Sequence, residues 1–218
     1  MTDPTYTDIT FLLDRSGSMS SIEAATVSGF GEFVAEQRRA PGRCLVTLNR
    51  FDTEYDRVYT AVPVQDVPPL VLEPRGMTAM LDAIARTIRE TGDRLAAMPE
   101  DARPGQVVVG IMTDGLENAS REATHAQVKA MIEHQEQVYG WSFLYMGANQ
   151  DAIEVGASIG VRQERSMTYA GARASAAMSS LGGNLRRSRE ARVSGDLVAA
   201  EAALRFSDEQ RAAAVERE

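Results

Sequence analysis

Cysteine, lysine and histidine are scarce in this 218-residue chain: it has one Cys, two His, and Lys129 as the single lysine among 23 Lys and Arg. A lone Cys44 cannot close an internal disulfide, which excludes a disulfide-stapled fold and fits a reducing, cytoplasmic setting. Cys44 reads instead as a small buried hydrophobe within a strand. His125 and His134 stand nine residues apart in or near one helix. That spacing is two and a half turns, so they face opposite ways and offer little to a histidine-based catalytic centre. Long apolar runs are missing as well. No stretch reaches the roughly 18 residues of a membrane helix, and the start Met1-Thr2-Asp3-Pro4-Thr5 lacks the basic and apolar parts of a signal peptide. A cytoplasmic location without a membrane role is therefore expected. No Gly-rich segment ends in Gly-Lys-Ser/Thr, which excludes a phosphate-cradling loop. Gly29-Phe30-Gly31 falls inside a helical stretch and reads as helix packing.

Positive charge is also short. The net charge is −8, which argues against nucleic acid as a partner, because phosphate binding depends on Lys and Arg. The charge is uneven, however. Residues 162–192 hold seven Arg against Glu164 and Glu190, a net +5, which reads as a solvated helix face.

The length suits one core with a short appendage, and 44% hydrophobic with 25% charged residues is ordinary for a globular chain. Strand and helix patterns alternate along it. Residues 9–13 are a continuous apolar run, as in a strand buried on both faces. Ser20 and Ser21 offer caps to an amphipathic helix over 22–39. Strands at 44–51 and 57–63 are joined by too short a connection for a crossover, so they should form an antiparallel hairpin. A helix follows at 79–98, then the β-branched strand 107–113, a helix at 123–137, and a strand at 141–146. Trp141, Phe143 and Tyr145 alternate there as core residues. Asn149 can cap a short helix to Ser158, and a brief strand is expected near Val161. From Tyr169 onward, two or three helices with breaks at Gly182-Gly183 and Ser194-Gly195 pack on the body. The expected fold class is α/β: a Rossmann-like, doubly wound, mostly parallel sheet with one antiparallel edge strand, plus C-terminal helices.

The chemistry concentrates where the first strand stops. Asp14-Arg15-Ser16-Gly17-Ser18 sets a carboxylate and two hydroxyls at alternate positions of one turn, half of an oxygen cage for a small hard cation. A loop that merely caps the next helix would explain the same residues. In doubly wound sheets, ligands bind beyond the carboxyl ends of the strands. Asp114-Gly115 follows a second central strand, and Thr78 precedes a helix that opens on the same edge. Asn149-Gln150-Asp151, at another strand end, can shape the rim.

With these motifs in order, the chain resembles a von Willebrand factor A-type domain with a metal-ion-dependent adhesion site, of the stand-alone bacterial cytoplasmic type. The resemblance covers roughly residues 7–161 and implies a domain over 1–165 with a helical extension over 166–218. It implies Ser16, Ser18 and Thr78 as direct ligands of Mg²⁺ or Mn²⁺, and Asp14 and Asp114 as outer or switching ligands. It also implies a protein partner that presents an Asp or Glu carboxylate, and no enzymatic activity. Two departures stand out: Met77 replaces a second glycine common in relatives, and Arg75 sets a cation close to the loop. A metal-dependent phosphoester hydrolase and a scaffold with a vestigial site are the alternatives. The first lacks a recognisable base or nucleophile, since Asp14-Arg15-Ser16 has no second aspartate.

Overall fold

The computed structural model describes residues 2–216. Its centre is a six-stranded sheet in the order β3-β2-β1-β4-β5-β6. The strands are β1 (Asp3–Asp14), β2 (Arg43–Phe51), β3 (Tyr55–Pro63), β4 (Pro104–Thr113), β5 (Ser142–Ala148) and β6 (Ser166–Tyr169). All neighbours pair in parallel except β2 and β3, which form the expected antiparallel edge. The chain leaves β1 toward β2 and later returns to β4 on β1's other side. The strand order therefore reverses between β1 and β4, and the crevice for a ligand opens at their carboxyl ends.

Side-chain alternation builds two cores. Ile9, Phe11 and Leu13 of β1 join Val108 and Met112 of β4 on one face, under α1 (Glu23–Arg39) and α5 (Ala174–Val193). Phe11 meets Phe30 and Phe33 of α1 edge-on, with ring centroids 5.6 and 5.5 Å away, pairs that add about 1 kcal/mol each to burial. Leu12, Val109, Ile111, Phe143 and Tyr145 line the other face, under α2 (Met80–Ala96), α3 (His125–Tyr139) and α4 (Ala152–Ser158). Trp141 and Phe143 are core residues, as their alternation predicts. Two further helices, α6 (Leu197–Ala203) and α7 (Asp208–Val215), complete the chain. Among the described residues no helix is long and apolar enough to cross a membrane.

Several local expectations need correction. Ser20 and Ser21 do not cap α1: a short 3-10 helix, Gly17–Ser21, precedes it, Ile22 takes the cap position, and the two hydroxyls donate back to the carbonyls of Gly17 and Ser18. α4 is capped by Asp151, whose carboxylate accepts from Ile153 and Glu154 N–H at 3.0 Å each, because Asn149 sits in the left-handed region at φ 55°. The last strand is Ser166–Tyr169 rather than a segment near Val161, because Val161 packs its side chain into the core beside α4. Gly182-Gly183 breaks nothing: α5 runs through both. A Cβ on Gly182 would lie 3.2 Å from the Phe33 backbone, and one on Gly29 would lie 2.8 Å from Met178. Both glycines let α1 and α5 approach closely. The break at Ser194-Gly195 is real, with Gly195 at φ 84°.

The arginine-rich stretch is not a solvated face. Arg189 is 2% exposed and donates to the carbonyls of Gln37, Pro41 and Gly42 at 2.7, 3.1 and 3.2 Å, satisfying the end of α1. Buried Arg165 pairs with Glu136 at 2.9 Å and with Glu201, and Arg186 bridges Glu36 and Glu190 at 2.8 Å each. Much of the positive charge ties the C-terminal helices to the body.

Candidate metal centre

β1 delivers Asp14 to the carboxyl edge fully buried, held between β2 and β4. Its Oδ1 accepts the Ser16 N–H at 2.6 Å, which folds the chain into a tight turn, and its Oδ2 accepts the Thr113 hydroxyl at 2.5 Å. The 3-10 helix then brings Ser18 beside Ser16, with their hydroxyl oxygens 3.2 Å apart. From the end of β4, Asp114 accepts the Ser18 hydroxyl at 2.6 Å. Because Ser18 gives its proton to Asp114, it accepts from the Ser16 hydroxyl and keeps one lone pair to face a cation.

Thr78 arrives from the opposite loop. Gly115 measures how closely these groups converge: a Cβ built on it would lie 2.9 Å from Thr78 Oγ1 and 3.7 Å from both Asp14 Oδ2 and Ser18 Oγ. Oxygens from two separate loops therefore lie within 4 Å of one point on a third. The five residues Asp14, Ser16, Ser18, Thr78 and Asp114 come together, Ser16 and Asp114 through their bonds to Ser18. Asp14, Ser16 and Thr78 are buried, whereas Ser18 is exposed, so the group opens to solvent on one side.

Electrostatics at this point are unbalanced. Burial pushes the Asp14 carboxyl up to about 6, although hydrogen bonds from Thr113 and Ser16 oppose the rise. Burial also raises Asp114, against the Ser18 hydrogen bond. No basic side chain among the described residues pairs with either carboxylate. Arg15, inside the motif, turns back to Asp52 at 3.0 Å and Asp56 at 3.4 Å. Arg75 pairs with Asp52 at 2.9 Å and with Glu54, and its backbone N–H donates to the Arg15 carbonyl at 2.7 Å. The cation that the sequence sets near the loop thus braces it from behind.

The donor set fits a hard divalent ion. It contains only oxygen, and two carboxylates with three hydroxyls leave room for water on Mg²⁺ or Mn²⁺. Among the described residues, no group of three or more His, Cys, Asp and Glu could hold a metal. Protein ligation here would rest on hydroxyls for the larger share. His125 is exposed at the start of α3, and His134 is exposed and packs edge-on against Tyr139.

Sequence reasoning missed the parts that position these ligands. Thr78 N–H donates to Asn118 Oδ1 at 2.9 Å, and the Thr78 carbonyl accepts from the Asn118 and Ala119 N–H groups. Glu117 accepts from Leu81 N–H at 2.9 Å and from Ser120. Asp82 accepts three N–H groups from residues 121–123. The loop after Asp114 therefore takes the place of a cap on α2, locking Thr78 to Asp114. Gln150, expected at the rim, reaches the Gly115 carbonyl at 3.4 Å. The polar run Glu117-Asn118 was the available signal, but nothing in its spacing pointed to α2.

A parallel sheet with one antiparallel edge and oxygen-rich loops at the ends of β1 and β4 is the von Willebrand factor A fold. The chain resembles the von Willebrand factor type A structure from Catenulispora acidiphila (13% identity, TM-score 0.56, 83% of this chain and 42% of that one). It also resembles the ArnB paralog VWA2 from Sulfolobus acidocaldarius (11%, 0.53, 80% and 44%). A third likeness is the vWF domain of the type V pili tip protein Mfa5 from Porphyromonas gingivalis (12%, 0.52, 81% and 93%). Identities this low show the fold alone. The chain spans less than half of the first two structures. No protein-family profile and no curated protein matches it.

Proposed function

We propose that the chain is a divalent-metal-binding interaction module. Asp14, Ser16, Ser18, Thr78 and Asp114 would hold Mg²⁺ or Mn²⁺, and a protein partner would dock an Asp or Glu carboxylate at the same place. The observation that carries this reading is the convergence of hydroxyl oxygens beside two carboxylates, Asp14 and Asp114, that have no basic partner among the described residues. A bound ion would supply the missing positive charge. Neutral hydroxyl ligands leave that charge incompletely compensated, so an incoming carboxylate is favoured. The module is read as non-enzymatic, because neither exposed histidine belongs to the oxygen cluster and its buried carboxylate is already bonded to Ser16 and Thr113. A bacterial, cytoplasmic setting belongs to the same proposal and rests on the sequence alone.

The test is capture with a chelator control. Immobilised protein in Mg²⁺ should retain a partner that chelator releases and that Asp14→Ala fails to retain. Retention that persists in chelator, or that the variant preserves, would contradict carboxylate docking through the metal.

A further inference from the structure

The sheet face under α2 is apolar along most of its width, where Leu12, Val109 and Ile111 share a core with Ile84 and Ile88 of the helix. At the corner between α2, β2 and β3 it turns polar. Strand alternation puts Thr47 and Asn49 on the same side of β2 as Phe51, a residue of that core. α2 meets them with Glu90, Thr91 and Arg94, β3 adds Arg57 and Thr60, and a cavity of about 260 Å³ lies between these side chains. β3 is bulged at its wall: the register against β2 shifts between Val46 and Asn49, Ala61 takes φ 51°, and the Ala61 N–H donates to the Thr47 hydroxyl oxygen at 3.0 Å.

Asn49 is 3% exposed, and its buried Oδ1 has no hydrogen-bond partner among the described residues. An unpaired amide in this place weakens the fold, where a leucine would extend the core. The charges around it are already compensated. Arg94 gives both terminal nitrogens to the Asp8 carboxylate at 2.8 Å each, and Arg57 pairs with Glu90 at 2.7 Å. An anion entering the cavity would meet no uncompensated positive charge and would face the Asn49 carbonyl. Hydroxyls, by contrast, are available. Thr47 accepts from Ala61 and keeps its own proton to donate, and Thr60 is exposed at the rim. No aromatic ring is among the lining side chains, so a flat base has nothing to stack on.

We infer that this cavity binds a small, uncharged, hydroxyl-rich molecule, a polyol or monosaccharide, through Asn49, Thr47, Thr60 and Arg57. A hydroxyl both donates and accepts, so one ligand can satisfy either end of the Asn49 amide and the threonines beside it. The 260 Å³ of space equals some nine waters at roughly 30 Å³ each. That holds one sugar-sized molecule and excludes an oligosaccharide. The site shares no residue with the oxygen cluster and stands independently of the metal reading.

NMR titration of the ¹⁵N-labelled full chain in chelator tests it, with D-ribose, D-glucose and myo-inositol as uncharged probes and acetate and phosphate as anionic ones. At least one of the three polyols should shift the amide signals of Thr47, Asn49 and Thr60 saturably. Asn49→Leu, which is close in size, should abolish that response. Thr60→Val, at an exposed position of the edge strand, should weaken binding about fivefold, as expected for one neutral hydrogen bond. No saturable shift with any polyol, tighter binding of acetate or phosphate at the same residues, or an affinity unchanged in both variants would overturn the inference.

Discussion

Replacing Asp14 with asparagine should stabilise the metal-free protein, although the substitution removes a ligand. Asp14 is fully buried, and its carboxyl rises from an ordinary value near 3.8 to about 6. Two pH units of displacement correspond to about 3 kcal/mol. The sign follows from linkage: the folded state holds the proton more tightly than the unfolded chain, so the destabilisation is absent below pH ~4 and fully developed above pH ~6. Asparagine keeps the contacts. Its carbonyl can accept the Ser16 N–H, and its amide can donate to Thr113, whose hydroxyl then donates to the Gly115 carbonyl 3.0 Å away. Thermal unfolding in chelator at pH 7.5 should therefore show Asp14→Asn melting several degrees higher, at about 2–4 °C per kcal/mol for a chain of this size. At pH 4 the difference should nearly vanish. Saturating Mg²⁺ should close most of the gap, since ion at a hundredfold excess over its Kd adds about 2.7 kcal/mol to wild type alone. A variant destabilised equally at both pH values would refute the claim that an uncompensated carboxylate sits there.

Other outcomes follow from the same geometry. Gly115→Ala should fold normally, since φ at residue 115 is not in the left-handed region, yet its methyl 2.9 Å from Thr78 Oγ1 should weaken Mn²⁺ binding at least tenfold by calorimetry; unchanged affinity would show that the oxygens do not converge as described. Asn118→Ala should lower Mn²⁺ affinity about 10–100-fold by loosening Thr78, and Asn118→Asp, which restores an acceptor, should recover most of it; equal loss in both would reduce Asn118 to a fold-keeping role. Arg189→Ala should reduce stability by about 3 kcal/mol in urea unfolding, because buried carbonyls at the end of α1 lose a charged donor. An unmoved midpoint would show that those carbonyls find other partners.

What could be read in advance divides along physical lines. The strands of the sheet centre were legible because β-branched apolar runs such as 107–113 have few other uses, and the β2–β3 hairpin because its connection is too short for anything else. The edge strand Ser166–Tyr169 was not, since four residues with three hydroxyls carry almost no periodic signal. The five clustered residues were legible from local spacing in one turn and from strand ends that share an edge. Their support was not. Asn118, Glu117 and Asp82 act across about 40 residues of chain, and a contact of that range leaves no mark in a single sequence. The arginines misled for the same reason: whether a guanidinium meets water or the end of a distant helix, as Arg189 does, depends on tertiary packing alone.

The central claim is that Asp14, Ser16, Ser18, Thr78 and Asp114 hold one divalent ion. Calorimetric titration of Mn²⁺ into chelator-stripped protein at pH 7.5 tests it most directly. The account predicts one site per chain in wild type and its loss in both Asp14→Ala and Thr78→Ala, with circular dichroism unchanged. No heat of binding in wild type, or the same affinity in all three proteins, would contradict it.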